Sequence, residues 1–160
     1  MLRTALLSAL LVLAGYASTA WLTHDFQVWT AEGARRLAVA QHPVPVPPVT
    51  VEGPGIAAQS LPTLLAQGGG VTLVDFVYTR CQTVCLSLGS SFQQLQAALQ
   101  TDRNAGATPA VRLLSISFDG AHDTPAVLQA HARSLQVDPA LWHWVRVPDA
   151  AEQQALLQRL

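Results

Sequence analysis

The sequence has no lysine: all nine basic residues are arginines, set against ten acidic ones, and a net charge of −1 gives no electrostatic footing for nucleic acid. Charged residues make up only 12% of the 160, about half the usual share. Half of the residues are apolar, enough to form the core of one domain with appendages. No G-x-G-x-x-G or G-x-x-x-x-G-K-[ST] pattern occurs, so there is no nucleotide-phosphate loop to nominate. Cysteine is confined to Cys81 and Cys85, which leaves the N-terminal apolar segment without a thiol for a lipoprotein anchor. No internal repeat is present, and the one biased segment is a short proline-rich run.

The stretch that holds both cysteines organises the rest. Val71 to Tyr78 is rich in Val, Thr, Phe and Tyr, which favour a pleated buried surface, and it predicts a core strand. Thr79 to Thr83 breaks the apolar run. From Leu88 onward, Leu88, Phe92, Leu95 and Leu99 share one helical face, with Gln93, Gln94, Gln96 and Gln100 mostly on the other. Cys81 and Cys85 thus stand where a strand ends and a helix begins, where backbone N–H groups and the positive helix end favour thiolate over thiol. In open α/β sheets, sites gather at the carboxyl ends of strands. The spacing is C-x-x-x-C, one residue wider than the C-x-x-C of thioredoxin-like redox enzymes, and lets both sulfurs face one ligand. Two buried small hydrophobes, or a structural disulfide, are the competing readings.

Residues 1–23 form a membrane anchor or signal segment: after Arg3, an uncharged run rich in Leu and Ala extends to Thr23, and about 20 apolar residues cross a bilayer as a helix. The run is longer than a signal-peptide core and Trp21 suits an interface, which favours an anchor, while Ser18-Thr19-Ala20 is the candidate cleavage site. Residues 24–48 form a membrane-proximal segment, with a short helix over Ala31 to Ala40 and a stiff linker in Pro43-Val44-Pro45-Val46-Pro47-Pro48. Arg35 and Arg36 outnumber Arg3, so charge does not orient the span.

Residues 49–160 form the main domain. A short helix or turn is predicted over 60–67, then a glycine turn at 68–70, the strand, the helix, a polar loop from Thr101 to Ala110 and a second strand from Val111 to Phe118. Strand, helix and strand in this order predict a parallel βαβ unit. Asp119 falls at the carboxyl end of the second strand, beside Cys81 if the strands are neighbours. Thr124 and Pro125 read as N-cap and first helical residue, Val127, Leu128, His131 and Leu135 as that helix's buried face, and Asp123 as an adjunct of the cap. Trp142 to Val147 is a third strand, followed by a final helix.

Asp75-Phe76-Val77-Tyr78-Thr79-Arg80-Cys81-Gln82-Thr83-Val84-Cys85, with Leu114-Ser115-Ile116-Ser117-Phe118-Asp119 and Asp123-Thr124-Pro125, resembles the Sco/SenC family of copper chaperones. The resemblance spans about Gly70 to Trp144. It implies an α/β, thioredoxin-like fold behind an N-terminal transmembrane helix, with copper held by Cys81 and Cys85 and by a histidine. It also implies the inner membrane as location, the domain facing the periplasm, and the copper-site subunit of cytochrome c oxidase as partner. Two roles stand open for Asp119: it closes a turn after the second strand, or it lies near the thiols and tunes their acidity or contacts a partner protein.

Two features depart from the family pattern. Leu86 replaces the usual proline after the second cysteine, and the histidine ligand, expected in a later loop, has no counterpart before Leu160. His122, His131 and His143 match no ligand position, so the domain is expected to be incomplete at its C-terminus. The leading expectation is a copper-binding chaperone. The alternative is a thiol-disulfide oxidoreductase in which Cys81 attacks and Cys85 resolves, reducing the oxidase's copper-ligand cysteines.

Overall fold

The structure is a computed structural model that describes residues 2–159 except His24, Gln27, Gly68, Gly69, 81–83 and 108–110, and gives the backbone alone for 84–89. It forms two compact units, Met1–Pro45 and Val46–Leu160. In the first, α1 (Leu2–Leu22) is long and apolar enough to cross a membrane, with no buried side chain. Tyr16, Phe26 and Trp29 stack in series, their centroids 5.3 and 6.1 Å apart. Helix α2 (Ala31–Gln41) is capped by Thr30, whose hydroxyl accepts from the Gly33 N–H at 3.0 Å.

The second unit is a five-stranded sheet with helices on both faces. In chain order it contains β1 (Thr50–Gly53), β2 (Ile56–Ser60), α3 (Leu61–Ala66), β3 (Val71–Val77), α4 (Val84–Asn104), β4 (Val111–Ser117), α5 (Pro125–Ser134), β5 (Trp142–Arg146) and α6 (Ala150–Leu157). The sheet order is β2-β1-β5-β4-β3. Strand β4 pairs in parallel with β3 and β5, so β3, α4 and β4 form the expected parallel βαβ unit. Five consecutive residues of β4, Leu113 to Ser117, are buried, as befits a central strand covered on both faces.

Alternation along the strands divides the core in two. Leu114, Ile116 and Val145 pack with Val51, Leu61, Leu64 and Leu156 under α3 and α6. Val77, Leu113, Trp142 and Trp144 pack with Phe92 of α4 and Leu128 of α5 on the opposite face. The rings of Phe92 and Trp142 lie 5.5 Å apart, as do those of Trp142 and Trp144.

Three expectations need revision. The β1–β2 hairpin was not foreseen, although Pro54-Gly55, with Gly55 at φ +72°, is its turn signal. Helix α4 runs on to Asn104, into the first four residues of the expected loop, with Thr101 donating its hydroxyl proton back to the Ala97 carbonyl at 2.9 Å. Of the four glutamines of α4, Gln94 is exposed as expected, but Gln93, Gln96 and Gln100 are partly or fully buried. Gln96 is buried, donating to the Gln136 carbonyl at 3.1 Å and accepting from the Asp138 N–H at 2.8 Å; Gln93 donates to the Leu135 carbonyl at 3.0 Å. Leu95, assigned to the buried face, is 39% exposed, and the Leu88 side chain lies outside the described residues.

Candidate metal and thiol site

The carboxyl ends of β3 and β4 meet around one carboxylate. Asp123, fully buried, accepts from the Thr79 N–H at 3.0 Å, the Thr79 hydroxyl at 2.5 Å and the Ser117 hydroxyl at 2.6 Å. Its expected role beside the helix cap is thereby corrected. The cap of α5 is Thr124, whose hydroxyl accepts from the Val127 N–H, while Asp123 ties the exit of β3 to the end of β4. The Phe118 N–H donates to the Val77 carbonyl at 3.0 Å, and the Tyr78 and Phe118 rings lie 5.0 Å apart.

One residue further out, Arg80 donates to the Asp119 carboxylate at 2.6 Å. Asp119 is held by its own N–H, which donates to the Ser117 hydroxyl at 3.1 Å. The turn beyond it is close-packed, since a β-carbon on Gly120 would fall 2.0 Å from the Val147 carbonyl oxygen. Thr79 and Arg80, the two residues before Cys81, are therefore both fixed from the β4–α5 loop. Cys81 itself lies outside the described residues. Cys85 is placed by its backbone in the first turn of α4, and its side chain is likewise outside the description.

The histidines stay apart. His122 is exposed in the turn after Asp119. His131 stands edge-on to Trp144, with centroids 5.2 Å apart, and burial lowers its pKa against a partial opposing pull from Asp123. His143, on β5, is lowered by burial and then by the Arg112 charge. Among the described residues, no three His, Cys, Asp or Glu side chains converge as a metal site.

A residue the sequence reading passed over is Asp75, in the middle of β3. It is 7% exposed, and among the described residues neither carboxylate oxygen has a hydrogen-bond partner. Burial raises its pKa to about 6; the Ser115 hydroxyl opposite eases the shift without reaching full hydrogen-bond geometry, and the residue's own N–H eases it further. Its signal lay in the alternation: Asp75 shares a strand face with Val77, so a carboxylate stands in a row pointed at the core.

Residues 66–140, the segment that contains both cysteines and the Asp119–Asp123 loop, match the sequence model of the family described as SCO1/SenC. Over those 75 of its 160 residues the chain is similar to the SCO1/SenC family. Among solved structures it is similar to BsSco, a member of the Sco family of cytochrome c oxidase assembly proteins in which a disulfide switch was identified. That match has 25% identity and a TM-score of 0.58, covering 71% of this chain and 62% of that one. ScoI of Bradyrhizobium japonicum, solved with copper bound, matches at 25% identity and TM-score 0.56, over 71% of this chain and 64% of that one. Yeast Sco1 with copper bound matches at 20% identity and TM-score 0.56, over 73% and 67%, and adds support for the fold. No curated protein matches the chain. The fold is thioredoxin-like, and the chain spans 62% of the length of BsSco.

In the chain, the Arg80–Asp119 ion pair stands one residue before Cys81, and the backbone of Cys85 lies in the first turn of α4. Thiolates are soft ligands suited to copper(I) and are also the nucleophiles of disulfide exchange.

Proposed function

We propose that this chain binds copper as cargo through the thiolates of Cys81 and Cys85 and delivers it to the dinuclear copper site of cytochrome c oxidase. The observation that carries this reading is the bracing of Thr79 and Arg80 by Asp123 and Asp119, which holds the root of the cysteine loop in one place. A fixed root lowers the ordering cost of closing two sulfurs on one ion. Copper leaves by thiolate exchange, each Cys–Cu bond giving way to a bond from the receiving subunit. Asp119 serves behind the thiols: paired with Arg80, it sets the local charge around Cys81. Copper-bound relatives and a Sco relative named as an oxidase assembly protein support this assignment.

In the same proposal, α1 anchors residues 49–160 to the inner membrane and residues 24–48 act as the spacer, with the domain in the periplasm. The second reading, thiol-disulfide exchange, is favoured by the disulfide switch of BsSco. The Cys81 thiolate attacks one sulfur of a partner disulfide and expels the other as thiolate. The Cys85 thiolate then attacks the Cys81 sulfur, releasing the second partner thiolate and leaving Cys81 and Cys85 oxidised to a disulfide.

The test is a copper(I) titration of the reduced full chain in detergent against a competing chelator, with Cys81→Ser and Cys85→Ser as controls. One tightly held ion, lost in both controls, supports the copper reading. No binding by the folded chain, together with stoichiometric reduction of a disulfide peptide, supports the exchange reading instead.

A further inference from the structure

We propose that Phe26 and Trp29 fold back beside Tyr16 to form an aromatic hook that seats in the interfacial layer of a phospholipid bilayer. The inference rests on the reading that α1 is the membrane anchor, and adds what the chain does where it leaves the bilayer.

The hook is built by a reversal of the chain. Asp25 and Phe26 are held at φ +57° and +64°, two successive non-glycine residues in the left-handed region, which a bulky side chain such as phenylalanine seldom adopts. Local hydrogen bonds pin the turn. The Asp25 N–H donates to the Ala20 carbonyl at 2.8 Å, the Phe26 N–H to the Thr23 hydroxyl at 3.1 Å and the Val28 N–H to the Thr23 carbonyl at 3.0 Å. The Phe26 ring thereby comes to 5.3 Å from the Tyr16 ring, and the Trp29 ring follows at 6.1 Å from that of Phe26. Tyr16 lies six residues before the end of α1, about 9 Å down the helix, and helical side chains lean toward the N-terminus. Phe26 therefore returns to a depth that α1 has already passed.

The surface so formed fits lipid. Trp21 is 81% and Trp29 71% exposed, and with Tyr16 they continue the apolar surface of α1, on which no side chain is buried. Trp and Tyr are the residues that favour the boundary between membrane and water. The acceptors at the end of α1 are also met within the chain. The Thr19 carbonyl accepts the Thr23 N–H at 3.0 Å and its hydroxyl at 2.6 Å, the Ala20 carbonyl accepts from Asp25, and the Phe26 carbonyl accepts the Trp29 indole N–H at 3.2 Å. Water would satisfy these groups unaided, whereas a turn that touches lipid has to satisfy them itself.

The charges nearby set the depth. On α2, Arg35 and Arg36 both pair with Glu32, and all three side chains are exposed. Such groups stay out of hydrocarbon, so the hook sits at the headgroup level, where the one positive charge left over suits lipid phosphate. The hook then limits how far α1 can slide through the bilayer, and leaves Pro43 to Pro48 as the spacer.

The experiment places the full chain in phosphatidylcholine vesicles and reads tryptophan fluorescence with the lipid brominated either near the headgroup or near the acyl-chain ends. Trp29 is read as the difference between wild type and Trp29→Phe, and Trp21 as the difference between wild type and Trp21→Phe, so that Trp142 and Trp144 cancel. Quenching of Trp29 by the shallow lipid should exceed that by the deep lipid by about two-fold or more. Phe26→Ser, which breaks the stack, should lower the quenching of Trp29 by about half or more while leaving Trp21 as it was. If Trp21 is quenched but Trp29 is quenched by neither lipid, or more strongly by the deep one, the proposal is overturned and the anchor stands. Unchanged quenching of Trp29 in Phe26→Ser also overturns it, because the stack would then not be what holds the ring. A chain that fails to float with the vesicles overturns the anchor reading and the hook together.

Discussion

The Thr79 hydroxyl donates to Asp123 at 2.5 Å across a separation of 44 residues, while the Thr79 N–H donates to the other oxygen of the same carboxylate at 3.0 Å. With Ser117 as third donor, a single buried side chain joins the ends of two parallel strands just before the cysteine loop. Removing it strands three donors. Asp123→Ala should cost about 3 kcal/mol or more, and Asp123→Asn, which keeps one acceptor oxygen, roughly half as much. Chemical denaturation gives the totals. Amide exchange locates the effect: Thr79 should lose protection while Phe118, bonded to the Val77 carbonyl, keeps most of its own.

The Arg80–Asp119 pair behaves differently because it is open to solvent, with the Arg80 side chain 61% exposed. Asp119→Asn should change stability by less than about 1 kcal/mol. If Asp119 sets the charge around Cys81, the same variant slows copper transfer to an acceptor peptide several-fold, and Arg80→Gln shifts that rate too. A transfer rate equal to wild type in Asp119→Asn would remove Asp119 from the site.

These two carboxylates mark how far the sequence could be read. The three main strands and the cap at Thr124 and Pro125 were legible because they depend on local signals, apolar runs and a capping pair, and the motif carried the family. Asp119 was legible because it ends a clear strand. Asp123 was not, since its three donors come from Ser117 and from Thr79, far back in the chain, and nothing near Asp123 announces them. The glutamines of α4 misled for the same reason. Side-chain polarity assigns them to water, but their partners are loop groups some 40 residues on. Asp75 was hidden inside the motif itself, where its value as a resemblance masked its oddity as a buried charge.

Gln96 gives that lesson a measurable form. Its amide bridges the Gln136 carbonyl and the Asp138 N–H, closing the loop between α5 and β5 on α4. Gln136 is held at φ +55°, a left-handed backbone that non-glycine residues seldom adopt, so this loop depends on its tethers. Gln96→Leu should cost about 1 kcal/mol or more by leaving two partly buried backbone groups without their side-chain partner, whereas Gln94→Leu, on an exposed position, should change little. Equal effects of the two substitutions in thermal denaturation would refute the tether.

Asp75 and the two half-buried histidines pull stability in opposite directions with pH. The folded pKa of Asp75 is raised to about 6 from 3.8, so between these values the folded chain holds a proton that the unfolded chain has released. Its contribution is therefore full below 3.8 and is lost as pH rises through about 6. His131 and His143 have folded pKa values below 6.5, so their contribution is present above that value and is lost as pH falls through it. Asp75→Asn removes only the first effect. Its advantage over wild type should be small near pH 4, grow across the acid range and level off above about 6, reaching up to about 3 kcal/mol. Urea unfolding of both proteins at a series of pH values reads the difference directly, and the histidine effect cancels because both proteins share it. A difference independent of pH would mean that the carboxyl titrates alike in the folded and unfolded chains, and hence that it is not desolvated at all.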